Sequence, residues 1–194
     1  MIMKRLFDFV SSLCGILILS PLFVILAFAV VIDTGFPVFF LQKRVGLYGR
    51  PFFIYKFRTM TLLKDASQGS FDAGDSRRVT PVGRVLRRTK LDELPQLWNV
   101  LRGDMSLVGP RPEVQKWVDV YPERWSRVLS LRPGITDNAS LEFRNEEELL
   151  AASSNPEKTY RYEVLPRKLD LYEGYVQNHS LAGDLRIIFR TIFG

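Results

Sequence analysis

The feature that most constrains this chain is an apolar run at residues 6–32, which contains one charged residue, Asp8. As an α-helix rising about 1.5 Å per residue, this run would be roughly 40 Å long. It could therefore cross a bilayer core of roughly 30 Å. The run is too long for a signal peptide and lacks a small-residue cleavage pattern before the polar sequence. We predict a permanent membrane element at residues 1–33, followed by one membrane-associated catalytic domain at residues 34–194.

Ser20 and Pro21 interrupt this run near its middle. Proline removes a backbone hydrogen bond and bends a helix, and a serine hydroxyl can bond to the freed carbonyl. Basic residues flank both ends of the run, and the positive-inside rule then places both ends in the cytoplasm. These residues are Lys4, Arg5, Lys43, Arg44 and Arg50. The pattern favours a re-entrant helix-break-helix; a single kinked spanning helix is the alternative.

Composition narrows the possible chemistry. The chain has 27 Lys+Arg against 21 Asp+Glu, which favours an anionic partner such as phosphate or acidic lipid. One cysteine, Cys14, and one histidine, His179, rule out a disulfide framework and a zinc cluster and argue strongly against Ser-His-Asp catalysis. A nucleic-acid partner is not expected, because no recognised binding motif is present. Catalysis would have to use carboxylates, basic groups and a hard metal ion.

The remaining pattern predicts an α+β fold that is mainly helical. A short β-hairpin is expected from residues 38–42 and 51–57, and a loop at residues 61–75. Further helices are predicted at residues 80–88, 92–102, 113–121, 123–131, 146–152 and 158–176, the last kinked at Pro166. The second of these should turn Leu94, Leu97, Trp98 and Leu101 inward and end at Gly103.

The C-terminal tail predicts an amphipathic helix. Its apolar face carries Leu185, Ile188, Phe189 and Ile192. Such a face fits an interfacial membrane helix or an ordinary helix facing the core, and the sequence leaves both open.

Two adjacent carboxylates, Asp92 and Glu93, stand at the start of a predicted helix. Helix capping alone would explain them. Arg84, Arg87, Arg88 and Lys90 lie just upstream, where they could neutralise phosphates beside an ionised, nucleophilic carboxylate. A carboxylate pair can also hold Mg²⁺ against substrate phosphates. Asp92 and Glu93 are therefore the candidate catalytic and metal-binding residues.

Other basic residues are candidates for phosphate binding. Arg111 lies between Pro110 and Pro112, which should fix the direction of a guanidinium suited to bidentate phosphate contacts. The alternative is a rigid turn whose arginine pairs with a nearby acid. Lys56 and Arg58 share one face of a predicted strand, where an anion contact or a solvated edge would explain them.

These motifs together resemble a known family. They are, in order, KRLFDF at residues 4–9, Ser20-Pro21, YKFRTM at 55–60, LDELPQLWNVLRGDMSLVGPRP at 91–112 and RPGIT at 132–136. The series is similar to the monotopic phosphoglycosyl transferases, often called bacterial sugar transferases. Residues 87–112 are its most specific part. In this comparison the chain looks like the small, minimal form of the family.

The resemblance implies a two-step transfer at the cytoplasmic face of the bacterial inner membrane. Asp92 would attack the β-phosphate of a UDP-sugar and release UMP; a polyprenyl phosphate, typically undecaprenyl phosphate, would then take the phosphosugar as the first membrane step of glycan assembly. Glu93 would assist the metal or the second step, and Mg²⁺ would offset the pyrophosphate charge. Arg111 would hold phosphate and Arg87 would lie near the lipid phosphate, while Ser20 and Pro21 shape the re-entrant helix.

One segment departs from the family pattern. Where many relatives read GWAQVNGR after the RPGIT motif, this chain reads DNASLEFR at residues 137–144. Arg144 is retained and is a further candidate for substrate binding, but the altered loop at residues 137–143 leaves the sugar preference open. Whether two copies form a homodimer is also open. The competing hypothesis is a non-catalytic scaffold that holds acidic membrane lipids on its basic face.

Overall fold

The computed structural model describes residues 2–61 and 78–194. The predicted loop at residues 61–75 lies almost entirely outside them. The α-helices in the described part are α1 (Ile2–Thr34), α2 (Pro81–Thr89), α3 (Gln96–Arg102), α4 (Gln115–Val118), α5 (Pro122–Val128), α6 (Asn138–Glu142), α7 (Glu146–Ala151), α8 (Pro156–Thr159), α9 (Leu165–Asn178) and α10 (Leu181–Phe193). The strands are β1 (Phe39–Val45), β2 (Pro51–Phe57), β3 (Ser106–Val108) and β4 (Gly134–Thr136). The predicted α+β, mainly helical class is confirmed.

The apolar run forms α1, which the structure assigns as one helix through Pro21. Pro21 has no N–H to donate to the carbonyl of Leu17, four residues earlier. The hydroxyl of Ser20 donates to that carbonyl instead, at 2.8 Å. The expected compensation by serine is thus present. By length and composition α1 could cross a membrane.

Both ends of α1 are bonded to the rest of the domain. Near the first end, the buried carboxylate of Asp8 accepts from the Ser106 hydroxyl at 2.8 Å and from the Leu107 N–H at 3.2 Å. At the other end, Arg58 donates to the carbonyl of Thr34 at 2.6 Å. Arginine at this position satisfies carbonyls that the last turn of a helix leaves unpaired. The two ends of α1 therefore contact one and the same domain.

The hairpin forms as predicted. Strands β1 and β2 pair antiparallel from Phe39 opposite Phe57 to Val45 opposite Pro51, so β1 extends beyond the predicted residue 42. The connecting turn contains Tyr48 in the left-handed region, with φ of 54°. Strand β2 brings Lys56, near its end, toward the segment that follows α2.

Helix α2 begins where the sequence indicated. Thr80 caps it, and its hydroxyl oxygen accepts from the Gly83 N–H at 2.9 Å. Lys90 ends it with a φ of 58°. The next predicted helix is divided into a 3₁₀ turn (Leu91–Glu93) and α3, which ends at Gly103 as expected.

The predicted inward face of this second helix forms in part. Leu94, Leu97 and Leu101 are half-buried and Leu94 packs against a core cluster, but Trp98 is 49% exposed, whereas Gln96 and Asn99 are buried. Asn99 is buried because α3 packs against β2, whose backbone needs hydrogen-bond partners. The Asn99 side chain supplies them: Nδ2 donates to Phe53 O at 2.7 Å and Oδ1 accepts from Tyr55 N at 3.1 Å.

A close backbone contact fixes the loop that carries Arg111. Strands β3 and β4 run parallel, and Gly109 follows β3 directly beside Gly134 of β4. A Cβ atom on Gly134 would lie 2.1 Å from the nitrogen of Gly109. Only glycine fits at this contact, which explains the glycine in the motif at residues 132–136.

The C-terminal helices complete the fold. A π-helical turn, Tyr160–Val164, precedes α9, so the predicted irregularity lies just before Pro166. In α10, Ile187 is buried, but Phe189 and Ile192 are 63% and 66% exposed. This exposed apolar face favours the interfacial interpretation of α10 over a core-facing helix.

Candidate active site

The 3₁₀ turn after α2 presents the two adjacent carboxylates to cations from two other segments. Asp92 and Glu93 are 7% and 9% exposed. Lys56 reaches them from β2, and Arg111 reaches Glu93 from the loop after β3. Four residues singled out in the sequence thus meet at one place, although they span the chain from residue 56 to residue 111.

Glu93 is held by both cations. Its Oε1 accepts from Lys56 Nζ at 2.8 Å and also from Arg111 Nη2, and its Oε2 accepts from Arg111 Nη1 at 3.2 Å. Burial alone would raise the pKa of Glu93, but Arg111 and Lys56 together hold it well below the usual range. The acid that pairs with Arg111 is therefore part of the candidate site itself.

Asp92 differs from its neighbour. Its Oδ1 is buried and has no hydrogen-bond partner within residues 2–61 and 78–194. Burial raises the pKa of Asp92, and the positive charges of Lys56, Arg87 and Lys90 counteract that rise. A carboxylate oxygen without a partner, close to several cations, can act as a nucleophile toward an anionic phosphate group.

Arg87 lies beside this pair on the last turn of α2. Its Nε donates to the Thr59 hydroxyl at 3.1 Å, and its Nη1 lies 3.5 Å from Glu147 of α7. Its charge acts on Asp92 without a direct bond. Arg87 therefore lies at the border of the site, next to Thr59.

The other two candidate arginines are engaged elsewhere. Arg58 bonds to the C-terminal end of α1, at Thr34 and Gly35. Arg144 donates to Gly194 O at 2.7 Å and to Arg190 O at 2.9 Å, at the end of α10. The structure does not bring either guanidinium to the carboxylate pair.

A metal ion would find few protein ligands here. The described residues contain no group of three or more His, Cys, Asp or Glu side chains that could hold one. Asp92 Oδ1 is free to bind a cation, whereas both oxygens of Glu93 face Lys56 and Arg111. This donor set fits Mg²⁺, which commonly uses one or two carboxylates together with substrate phosphates.

The sequence did not reveal which residues bond the ends of α1 to the domain. It also did not reveal that the buried amide of Gln96 lies next to the carboxylate pair. Asp8 was visible as the one charge in an apolar run, and such a residue usually has a defined partner. Its partners on β3, and the ion pair of Lys4 with Asp184, depend on tertiary packing. Nothing in the sequence singled out Gln96 except its place in the motif at residues 91–112.

Comparison with known proteins identifies the family. The sequence profile described as bacterial sugar transferase matches residues 1–194. The chain belongs to the bacterial sugar transferase family. The resemblance seen in the sequence and the assignment to the transferases are thereby confirmed.

Several members of the bacterial sugar transferase family are close in sequence. An uncharacterized sugar transferase, EpsL of Bacillus subtilis, is 41% identical over 99% of this chain and 86% of its own length. A UDP-glucose:undecaprenyl-phosphate glucose-1-phosphate transferase of Klebsiella pneumoniae is 36% identical over the whole chain, which spans 40% of that protein. A UDP-N-acetylgalactosamine-undecaprenyl-phosphate N-acetylgalactosaminephosphotransferase of Aeromonas hydrophila is 36% identical over 97% of this chain and 42% of its own length.

Proposed function

We propose that this protein transfers a sugar-1-phosphate from a UDP-sugar to a polyprenyl phosphate, with Asp92 as the covalent nucleophile. The names of the Klebsiella and Aeromonas relatives support the donor and acceptor classes. The observation that carries the proposal is the unpaired Oδ1 of Asp92, buried beside a carboxylate that two cations hold in place. The two relatives act on different sugars, so the sugar is left to experiment.

In the first step an Asp92 oxygen attacks the β-phosphorus of the UDP-sugar. A phosphorus–oxygen bond to Asp92 forms as the bond to the bridging oxygen breaks, and UMP leaves with that oxygen. Lys56 and Arg111 would neutralise the phosphate oxygens, since both pair with Glu93, the neighbour of Asp92. The product is a phosphosugar-aspartyl enzyme.

In the second step an oxygen of the polyprenyl phosphate attacks the same phosphorus. The bond to Asp92 breaks, which restores its carboxylate and yields a polyprenyl diphosphate sugar. Arg87, at the border of the site, is placed to hold the lipid phosphate. A covalent carboxylate intermediate divides one difficult displacement into two easier ones.

Mg²⁺ fits this site through Asp92 and the donor phosphates. When bound, it would neutralise charge on the pyrophosphate and so favour departure of UMP. Before the donor binds, Glu93 would hold Lys56 and Arg111 at the site as an ionised carboxylate.

The membrane arrangement that we propose is a re-entrant α1, with the catalytic part on the cytoplasmic face of the inner membrane. Both ends of α1 bond to one domain, and the chain between them exposes apolar side chains such as Ile18, Val24 and Phe28. A helix that crossed the bilayer would carry its two ends to opposite sides. The exposed face of α10 would rest in the same interface.

The test is intact-protein and peptide mass spectrometry after incubation of the purified protein with UDP-sugars and Mg²⁺, without lipid acceptor. UDP-glucose and UDP-N-acetylgalactosamine are the first donors to try, given the two relatives. We expect a sugar-phosphate increment on the peptide containing Asp92, release of UMP, and loss of the increment when polyprenyl phosphate is added.

Asp92→Asn should abolish the adduct. Asp119→Asn, which changes an exposed carboxylate bonded to Gln115, should form it normally. Full turnover by Asp92→Asn would remove Asp92 as the nucleophile. No adduct and no UMP with any donor of a broad panel, together with binding to acidic vesicles, would favour the scaffold hypothesis.

A further inference from the structure

One buried side chain next to the site makes no side-chain hydrogen bond in the part of the chain that the structure describes. Gln96, the first residue of α3, is 1% exposed. Neither its Oε1 nor its Nε2 has a hydrogen-bond partner within residues 2–61 and 78–194. A buried amide that makes no hydrogen bond destabilises the folded state, so its presence calls for an explanation.

Asn99 on the same helix shows what a structural amide does here. It is fully buried, and its side chain bonds to the backbone of Phe53 and Tyr55 at 2.7 and 3.1 Å. Among the described residues, the amide of Asn99 is therefore bonded to the backbone, whereas the amide of Gln96 has no partner.

The backbone places Gln96 on the same face as Glu93. Leu97 N bonds to Leu94 O and Trp98 N bonds to Pro95 O, both at 3.0 Å, so this stretch turns with three residues per turn. Within this turn residues three apart lie one above the other, so Gln96 follows Glu93 on the same face. Asn99 lies about one turn further along α3, and Glu93 and Asn99 both contact β2, at Lys56 and at Phe53.

Substrate binding would change what Glu93 can bond to. Glu93 accepts all its observed side-chain bonds from Lys56 and Arg111 within the described part of the chain. A donor pyrophosphate would compete for the same two cations, because Lys and Arg form charge-assisted hydrogen bonds to phosphate as well as to carboxylate. If Lys56 and Arg111 turned toward the phosphates, Glu93 would lose hydrogen-bond donors.

We propose that Gln96 is a positioning residue that donates its amide N–H to Glu93 when the sugar-nucleotide donor occupies Lys56 and Arg111. The inference rests on the proposed function. Gln96 is then unpaired in the free enzyme and paired in the donor complex, so the binding of donor recovers part of the stability that burial of the amide costs. Gln96 acts through Glu93 and does not itself contact the transferred phosphate.

Gln96→Met tests this, because methionine keeps the length and shape of glutamine without its polar atoms. In the full-length protein we expect Gln96→Met to melt at the same temperature as the wild type or higher, since it removes an unpaired buried amide. We expect its kcat to fall about 10- to 100-fold, the equivalent of one hydrogen bond to a charged group. The KM for polyprenyl phosphate should stay unchanged.

Asn99→Leu is the matched control. It removes an amide of the same helix that has partners, so it should lower the melting temperature. UDP in place of the donor gives a second measurement that does not depend on turnover: it should raise the melting temperature of the wild type more than that of Gln96→Met.

Two results would overturn the inference while leaving the proposed function intact: wild-type turnover by Gln96→Met, or a fall in its melting temperature like that of Asn99→Leu. An inactive wild type, with no adduct on Asp92 and no UMP, would overturn the proposed function and this inference together.

Discussion

At the scale of single residues, the two adjacent carboxylates of the candidate site have different surroundings. Asp92 is buried with one oxygen unpaired and its pKa is raised, whereas Glu93 is bonded to two cations and its pKa is lowered. Neighbouring acids whose pKa values are displaced in opposite directions commonly have different roles in catalysis. Here the difference supports Asp92 as the reacting group and Glu93 as its fixed neighbour.

The charge of Lys56 can be tested through the pH dependence of activity. Lys56 lowers the pKa of Asp92, so Lys56→Met should raise that pKa further. The nucleophile would then become protonated at a higher pH, so the acidic limb of the kcat/KM profile should move to higher pH. Steady-state rates from about pH 5 to 8, at saturating Mg²⁺, would measure it.

Lys56→Arg keeps the charge and is the control for this experiment. Its acidic limb should remain near that of the wild type, even if its rate falls because the guanidinium fits differently. If the acidic limb of Lys56→Met lies at the same pH as that of the wild type, Lys56 does not influence the ionisation of Asp92.

At the scale of secondary structure elements, α2 is held in position by a backbone contact. A Cβ atom on Gly83 would lie 2.1 Å from the carbonyl oxygen of Thr59, which follows β2. Thr59 also receives the hydrogen bond from Arg87. The glycine therefore lets α2 approach closely enough to place Arg87 beside the site.

Gly83→Ala should displace α2 and destabilise the protein by about 1–3 kcal/mol, as overpacking does. Gly174→Ala is a matched substitution in the interior of α9, where a Cβ meets nothing within 4 Å. Alanine there should stabilise the protein by about 0.5–1 kcal/mol, because it favours the helix. Thermal unfolding in one detergent would compare them; equal stability of the two variants would contradict the close contact at Gly83.

At the scale of the whole molecule, α1 is bonded to the domain at both ends by polar residues. Lys4 pairs with Asp184, Asp8 bonds to β3, and Arg58 bonds to the last turn of α1. Asp8, Arg58 and Asp184 are buried, so these bonds are shielded from water and hold α1 against the domain. The domain therefore fixes where both ends of this candidate membrane helix lie.

This arrangement predicts that both ends of α1 lie on the same side of the membrane, which we propose is the cytoplasmic side. Single cysteines would replace Met3 and Phe36, which are 75% and 77% exposed, in a Cys14→Ser background. Both should react with an impermeant thiol reagent in inverted membrane vesicles and not in intact spheroplasts. A cysteine at the exposed Gln177 reports the side on which the domain lies, and labelling of the two ends from opposite sides would refute the re-entrant arrangement.

Local sequence patterns were sufficient to predict much of the secondary structure of this protein. The apolar run predicted α1, two stretches rich in β-branched and aromatic residues predicted the hairpin, and Thr80 with Pro81 predicted the start of α2. Each of these depends on interactions between residues near in sequence, whose spacing can be read directly. The motif at residues 91–112 also gave the family.

The sequence by itself thus determined the class of fold, the family and the residues of the carboxylate pair. Only the tertiary structure decided that Lys56 and Arg111 meet at Glu93, that Arg58 and Arg144 bond to helix ends, and that α3 buries Gln96 and Asn99 instead of Trp98. The physical reason is that a charged or amide side chain satisfies its hydrogen bonds with whatever group packing brings near. Those groups lie tens of residues away in the chain, where periodicity carries no information.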